Sequence, residues 1–263
     1  MRILALPLRL FAVLAMLGAA LGPVSGQMPV AASPAGINTA FVKLFGGVKA
    51  FTAKTEARVF DAQQKEAVLM RMDWAVRDGQ VRLEINLEDV SGRDFPAGSA
   101  TTLKQAGMSR IISVFRPEKK ATFMIYPGVQ SYQVVPLEPA EAAASEKDLK
   151  LERKELGRET LDGHACVKNQ VVVKRGQERV LTAVTWNAAD LREFPVQIEL
   201  KEKQNTVRLR FSRIQFAPPA AAQFEVPPMG RPMFGPMQCA DGYVMVAVAS
   251  EKTFQNLCVA AGH

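Results

Sequence analysis

Apolar residues recur at every second position along much of this chain. Val68, Met70, Met72, Trp74 and Val76 form one such series, and Val81, Leu83, Ile85 and Leu87 continue it beyond Asp78-Gly79, with polar residues mostly between. Successive side chains of a strand point to opposite faces, so the two series read as an antiparallel hairpin with one apolar face. Asp-Gly suits its turn because both positions tolerate positive φ. The same reading predicts strands at 48–60, 64–77 and 80–88, then a meander at 110–115, 121–126 and 131–135 punctuated by Pro117 and Pro127-Gly128. Residues 151–161 lead through Asp162-Gly163 into a strand at 166–174, which 179–186 joins across Arg175-Gly176-Gln177; 187–192 reads as a connecting turn. Val196, Ile198 and Leu200 alternate with polar residues, as do Val207, Leu209 and Phe211. At Arg213 the phase shifts and Ile214 and Phe216 take over, which predicts a bulge.

Helical spacing is rarer. Ile37, Phe41, Leu44 and Phe45 predict an amphipathic helix over 35–45, stopped by Gly46-Gly47. A short helix is expected at 101–108. The alanine-rich, charged stretch 138–149 predicts another, with too little apolar surface for deep core, so it should ride over the sheet as a lid or decorate an edge. The total is roughly ten strands and two or three helices, a mainly β (α+β) chain.

The start of the chain reads as an export signal. Arg2 and Arg9 precede an apolar run at 10–21, and Val24-Ser25-Gly26 is a small-residue cleavage pattern, so residues 1–26 are expected to be removed and the protein to reach the periplasm. The run falls short of the about 20 apolar residues that a membrane span needs. Of 33 lysines and arginines, Arg2 and Arg9 leave with the signal, and 31 remain against 26 acids, a net charge of +5. That mild excess, interleaved with acids, suits solubility and attraction to anionic headgroups rather than a nucleic-acid footprint.

The order of elements carries short turn motifs: Gly157-x-Glu159-Thr160-Leu161-x-Gly163-His164 entering a hairpin, Trp186-Asn187, Phe194-Pro195-Val196, and Phe224-Glu225-Val226-Pro227-Pro228. In these the chain, over about residues 34–233, resembles the LolA-like superfamily of periplasmic proteins. The resemblance implies an incomplete antiparallel β-barrel around a helical plug or lid, spanning 27–233. It also implies a lipid or the acyl chain of a lipoprotein as ligand, or else a protein-interaction role such as an envelope-stress sensor or assembly factor. A monomer with a lipid, an acylated protein or an envelope protein as partner is expected, with no cofactor.

Residues that could carry chemistry are few. His164 and His263 are the only histidines, too few for a multi-histidine metal centre, and no nucleophile-elbow, zincin, phosphate-loop or Cys-x-x-Cys motif occurs, so a non-enzymatic protein is expected. Cys166, beside His164, reads either as a reactive or metal-binding thiol or as a small packed residue where a hairpin enters a strand. Cys239 and Cys258 flank the segment 243–249 and could pair in an oxidising compartment, making 234–263 a C-terminal appendage. Met229, Met233 and Met237 approach Cys239 at four-residue spacing, a weak pattern for a soft metal; a Pro/Gly linker whose methionines cover apolar surface is the simpler reading. The apolar face itself offers the candidate ligand-binding set: Met70, Met72, Trp74, Leu83, Ile85 and Phe123, expected to line one cavity, although the same residues could simply be core.

Overall fold

The computed structural model describes residues 38–95, 98–142, 146–202, 204–226, 234–239 and 242–247. The expected leader therefore lies outside the described residues, as do Met229, Met233 and Cys258.

Eleven strands form one antiparallel sheet. In chain order they are β1 (Ala50–Phe60), β2 (Glu66–Arg77), β3 (Gln80–Asn86), β4 (Arg110–Arg116), β5 (Ala121–Tyr126), β6 (Ser131–Pro136), β7 (Leu149–Leu161), β8 (His164–Arg175), β9 (Glu178–Ala188), β10 (Phe194–Glu202) and β11 (Asn205–Gln215). Two meanders, β1 to β6 and β7 to β11, are joined where β1 pairs with β11, giving the spatial order β6-β5-β4-β3-β2-β1-β11-β10-β9-β8-β7. Consecutive strands β6 and β7 thus lie at opposite edges, and the chain between them bridges the sheet's open side instead of closing it with hydrogen bonds.

The sheet must curl. From β2 to β7 is six strand spacings, about 29 Å if flat. Yet Trp74 of β2 lies with its ring centre 6.1 Å from that of Phe45, while Arg153 of β7 reaches the neighbouring Gly46 so closely that a Cβ there would sit 3.3 Å from its guanidinium. One helical turn touches both, which only a half-barrel allows.

Local chemistry explains the turns. Asp78 and Gly79 take φ of 49° and 84°, and Asp162 and Gly163 take 50° and 84°, the positive-φ pair that matches the twist of a hairpin. The phase shift at Arg213 is a bulge: Thr52 faces Gln215 but Lys54 faces Ser212, and Arg213 has φ of 51°.

Among the described residues three helices accompany the sheet: α1 (Thr39–Val42), continued by a 3₁₀ turn at Lys43–Phe45, α2 (Ser99–Gln105) and α3 (Pro139–Ala142). The long helix expected at 138–149 is corrected. Among the described residues of this stretch α3 and a 3₁₀ turn at Glu146–Asp148 are helical, and Leu149 already pairs with Arg175, because ladder bonds to β8 outweigh the helical preference of an isolated segment. Likewise Asn187 and Ala188, expected in a turn, belong to β9.

The tail departs from the linker reading. Phe234–Cys239 and Gly242–Ala247 are strands β12 and β13, paired only with each other. Both strands of such a ribbon are edges, so Pro236, opposite Met245, can turn its missing N–H outward.

Candidate functional site

The inner face of the half-barrel holds the main core. Odd residues of β1 and β3, even residues of β2 and the alternate residues of β10 and β11 converge there: Phe51, Trp74, Leu83, Ile198 and Phe211 are nearly inaccessible to solvent. α1 enters this bowl as a plug. Asn38 caps it by accepting from the Phe41 N–H at 2.8 Å, which orients the first turn so that Phe41 and Phe45 point down into the sheet. Phe45 stands 4.8 Å from Phe51 and 5.7 Å from Phe211 in tilted and edge-on contacts, stacks on Phe194 at 5.6 Å, and Phe41 stands tilted 5.8 Å from Trp74, arrangements that aromatic quadrupoles favour.

Of the sequence-predicted set, Met72, Trp74, Leu83 and Ile85 lie in this core and Met70 packs half-buried against it. Phe123 does not share their face. It packs with Tyr132 on the outer side of the sheet, because β5 carries apolar residues on both faces and its inward positions are Thr122, Met124 and Tyr126. Burial pushes the Tyr126 phenol up to about 12.

Six side-chain groups are buried without a partner among the described residues: the hydroxyls of Thr39, Thr55 and Ser99, the indole N–H of Trp74, Nη1 of Arg82 and Nε of Arg175. Thr55 pairs across the ladder with Met72 and with Phe211, whose ring lies 5.4 Å from Trp74. Thr55 and Trp74 therefore belong to one neighbourhood, beneath Phe41 of the plug.

The plug is tied to the bridge between the sheet's edges. The Thr39 N–H donates to Glu141 Oε1 of α3 at 2.7 Å, and Glu141 Oε2 lies 3.8 Å from the Arg175 guanidinium. That bond answers one of the orphan donors of the first helical turn and makes α3 a lid resting on α1.

Catalytic chemistry finds little support elsewhere. His164 Nδ1 lies 2.7 Å from Asp190 Oδ2 in an exposed pair. The Cys166 thiol is free and buried, donates to the His164 carbonyl at 3.4 Å, and has its pKa pushed up by burial, the reverse of an activated thiolate. No three His, Cys, Asp or Glu side chains among the described residues are grouped to hold a metal. Met237 and Cys239 lie on β12.

A second apolar cluster escaped sequence reasoning. Ala75, Ile112, Val114 and Ile125 on the outer face bury Phe224, which arrives on a strap that crosses the sheet after β11. Arg77 donates to the Pro219 carbonyl at 2.9 Å and the buried Arg116 to the Phe224 carbonyl at 2.6 Å. The signal was present: Ile111-Ile112, Val114-Phe115 and Met124-Ile125 are consecutive apolar pairs, as in strands covered on both sides.

No family model matches the chain, and no curated protein does. Among solved structures, a LolA superfamily protein of Nitrosomonas europaea is similar at 10% identity, over 70% of this chain and 93% of that one, with a TM-score of 0.36. The Mycobacterium tuberculosis lipoprotein LppX is similar at 10% identity, over 66% and 91%, with a TM-score of 0.35. LprF of Mycobacterium bovis is similar at 15% identity, over 70% and 91%, with a TM-score of 0.34. The likeness expected from the turn motifs thus recurs at low identity and partial overlap. The fold assignment rests on the sheet itself.

Proposed function

We propose that this chain is an exported binding protein that holds an apolar ligand, a lipid or an acyl chain, on the inner face of the half-barrel. The observation that carries the reading is the pair of unpartnered polar groups at Thr55 and Trp74 beneath the plug. A buried donor without a partner costs about 1–3 kcal/mol, so a core built only for stability would not leave two beneath one plug. A ligand with an apolar body and a few acceptor oxygens would satisfy them. The cover suits entry: α1 and α3 are each four residues long, too short to be stable alone, and a bond from Thr39 to Glu141 joins them. The leader-like residues 1–26 support delivery to the periplasm, where a lipid or acylated protein would be the partner and no catalytic step is assigned.

The test is titration of delipidated protein with a fluorescent fatty acid, beside native mass spectrometry of protein purified without detergent. Trp74→Ala should weaken binding at least about tenfold, or 1.4 kcal/mol. Trp186→Phe, whose indole meets Glu159 and Lys168, should bind as wild type. A protein that carries no lipid and never binds the probe rejects the reading.

One observation favours a protein-interaction role instead. The exposed large hydrophobics among the described residues, Val134 and Leu156, lie one on each free edge strand, β6 and β7, where an extended segment of a partner could add to the sheet. A partner lost on Val134→Lys or Leu156→Lys, with no lipid bound, would support it.

A further inference from the structure

The outer face carries a cleft that the inner-face reading does not use. It lies between the sheet and the strap and encloses about 450 Å³, within the about 300–1,000 Å³ of small-molecule sites. One side is apolar, with Ala75, Ile112 and Ile125. Ala222 and Gln223 of the strap form the opposite wall.

Arg82 supplies the charge. Its side chain projects from β3 into this cleft and is only 17% exposed. One guanidinium nitrogen, Nη2, donates to Glu84 Oε2 at 2.8 Å, but Nη1 is buried with no partner among the described residues. Glu84 cannot fully neutralise it, because its other oxygen is taken by Arg110 at 2.6 Å. The remaining acids of the rim are also engaged: Asp73 lies 2.5 Å from Lys54, and Glu225 lies 3.3 Å from Arg116 and 3.8 Å from Lys119. Burial is the largest influence on the Arg82 guanidinium and lowers its pKa, Glu84 opposes it, Arg110 adds to the lowering and Asp73 opposes it least, with a net lowering. A buried guanidinium with a free N–H fork beside aliphatic walls asks for an anion that brings its own apolar tail.

We propose that this outer-face cleft binds an aliphatic carboxylate, its headgroup on Arg82 Nη1 and its chain along Ala75, Ile112 and Ile125. The carboxylate would accept a charge-assisted hydrogen bond that no group of the chain provides. The strap, held by the bonds from Arg77 and Arg116, would form a fixed wall. Trp74 borders this cleft and also belongs to the neighbourhood of Thr55, so the isoleucine methyls of the two faces, and not Trp74→Ala, separate this ligand from the inner-face one.

Isoleucine methyl NMR of the full-length protein titrated with octanoate tests this. The δ1-methyls of Ile112 and Ile125 should shift, and those of the inner-face residues Ile85 and Ile198 should stay. Octanol, with the same chain and no charge, should bind at least about tenfold more weakly, as should Arg82→Gln towards octanoate, a difference of 1.4 kcal/mol or more. If Arg82→Gln fails to fold, Ala222→Trp, which fills the cleft from an exposed position, decides, and should abolish the shifts. Shifts confined to Ile85 and Ile198, equal binding of octanol, or octanoate binding unchanged in the variant that folds would overturn the proposal. The first of these would leave the inner-face reading standing.

Discussion

On the inner side of β2, Met72 and Trp74 meet the aromatic rings of α1, whereas on the outer side Arg71 and Asp73 meet other charges, Glu56 at 3.2 Å and Lys54 at 2.5 Å. The same alternation runs through β1 and β3. The two faces therefore stabilise the sheet by unequal means, since burying a large apolar side chain is worth about 1.5–3 kcal/mol and an exposed ion pair about 0–1 kcal/mol. Only where the strap crosses β4 and β5 does the outer face imitate the inner one.

Four substitutions test this inequality. Phe45→Ala should be the most damaging, because the ring contacts Phe41, Phe51, Trp74, Phe194 and Phe211 at once; a loss of about 3–5 kcal/mol in chemical denaturation is expected. Next comes a pH effect of the inner face. Tyr126 is buried with its pKa raised from 10.0 to about 12, so folding disfavours its ionisation. Its contribution is fully present below pH 10 and is lost as pH rises through about 12, a loss of at most about 3 kcal/mol that Tyr126→Phe should abolish in denaturation curves taken at high pH.

On the outer face the effects should shrink. Phe224→Ala should cost about 1.5–3 kcal/mol, and hydrogen exchange should place the loosening in the strap at 217–225 while the inner strands stay protected. A loss as large as that of Phe45→Ala, spread over all strands, would mean that the strap belongs to the main core. Arg71→Ala should cost less than about 1 kcal/mol, and its effect should fade in 1 M salt, which shortens the screening length to about 3 Å.

Much of this architecture is legible in the chain. Period-two alternation placed β2 and β3 within two residues, Asp78-Gly79 and Asp162-Gly163 marked their hairpins, and the phase shift at Arg213 located a bulge. These features are local: strand geometry alternates side chains and turn sterics demand positive φ, whatever the rest of the molecule does. Other features depend on partners far away in sequence. The outer-face packing of Phe123 depends on a strap whose Phe224 carbonyl is held by an arginine 108 residues earlier. The split of 138–149 into a short lid and a strand depends on β8, and the burial of Thr55 and Trp74 beneath Phe41 depends on how far the sheet curls around α1. Arg82 looks in sequence like any surface arginine, and only the strap laid beside it turns its free N–H into a buried one. Alternation tells which residues share a face, because backbone sterics set it locally; what covers that face is set by long-range packing, which no local pattern encodes.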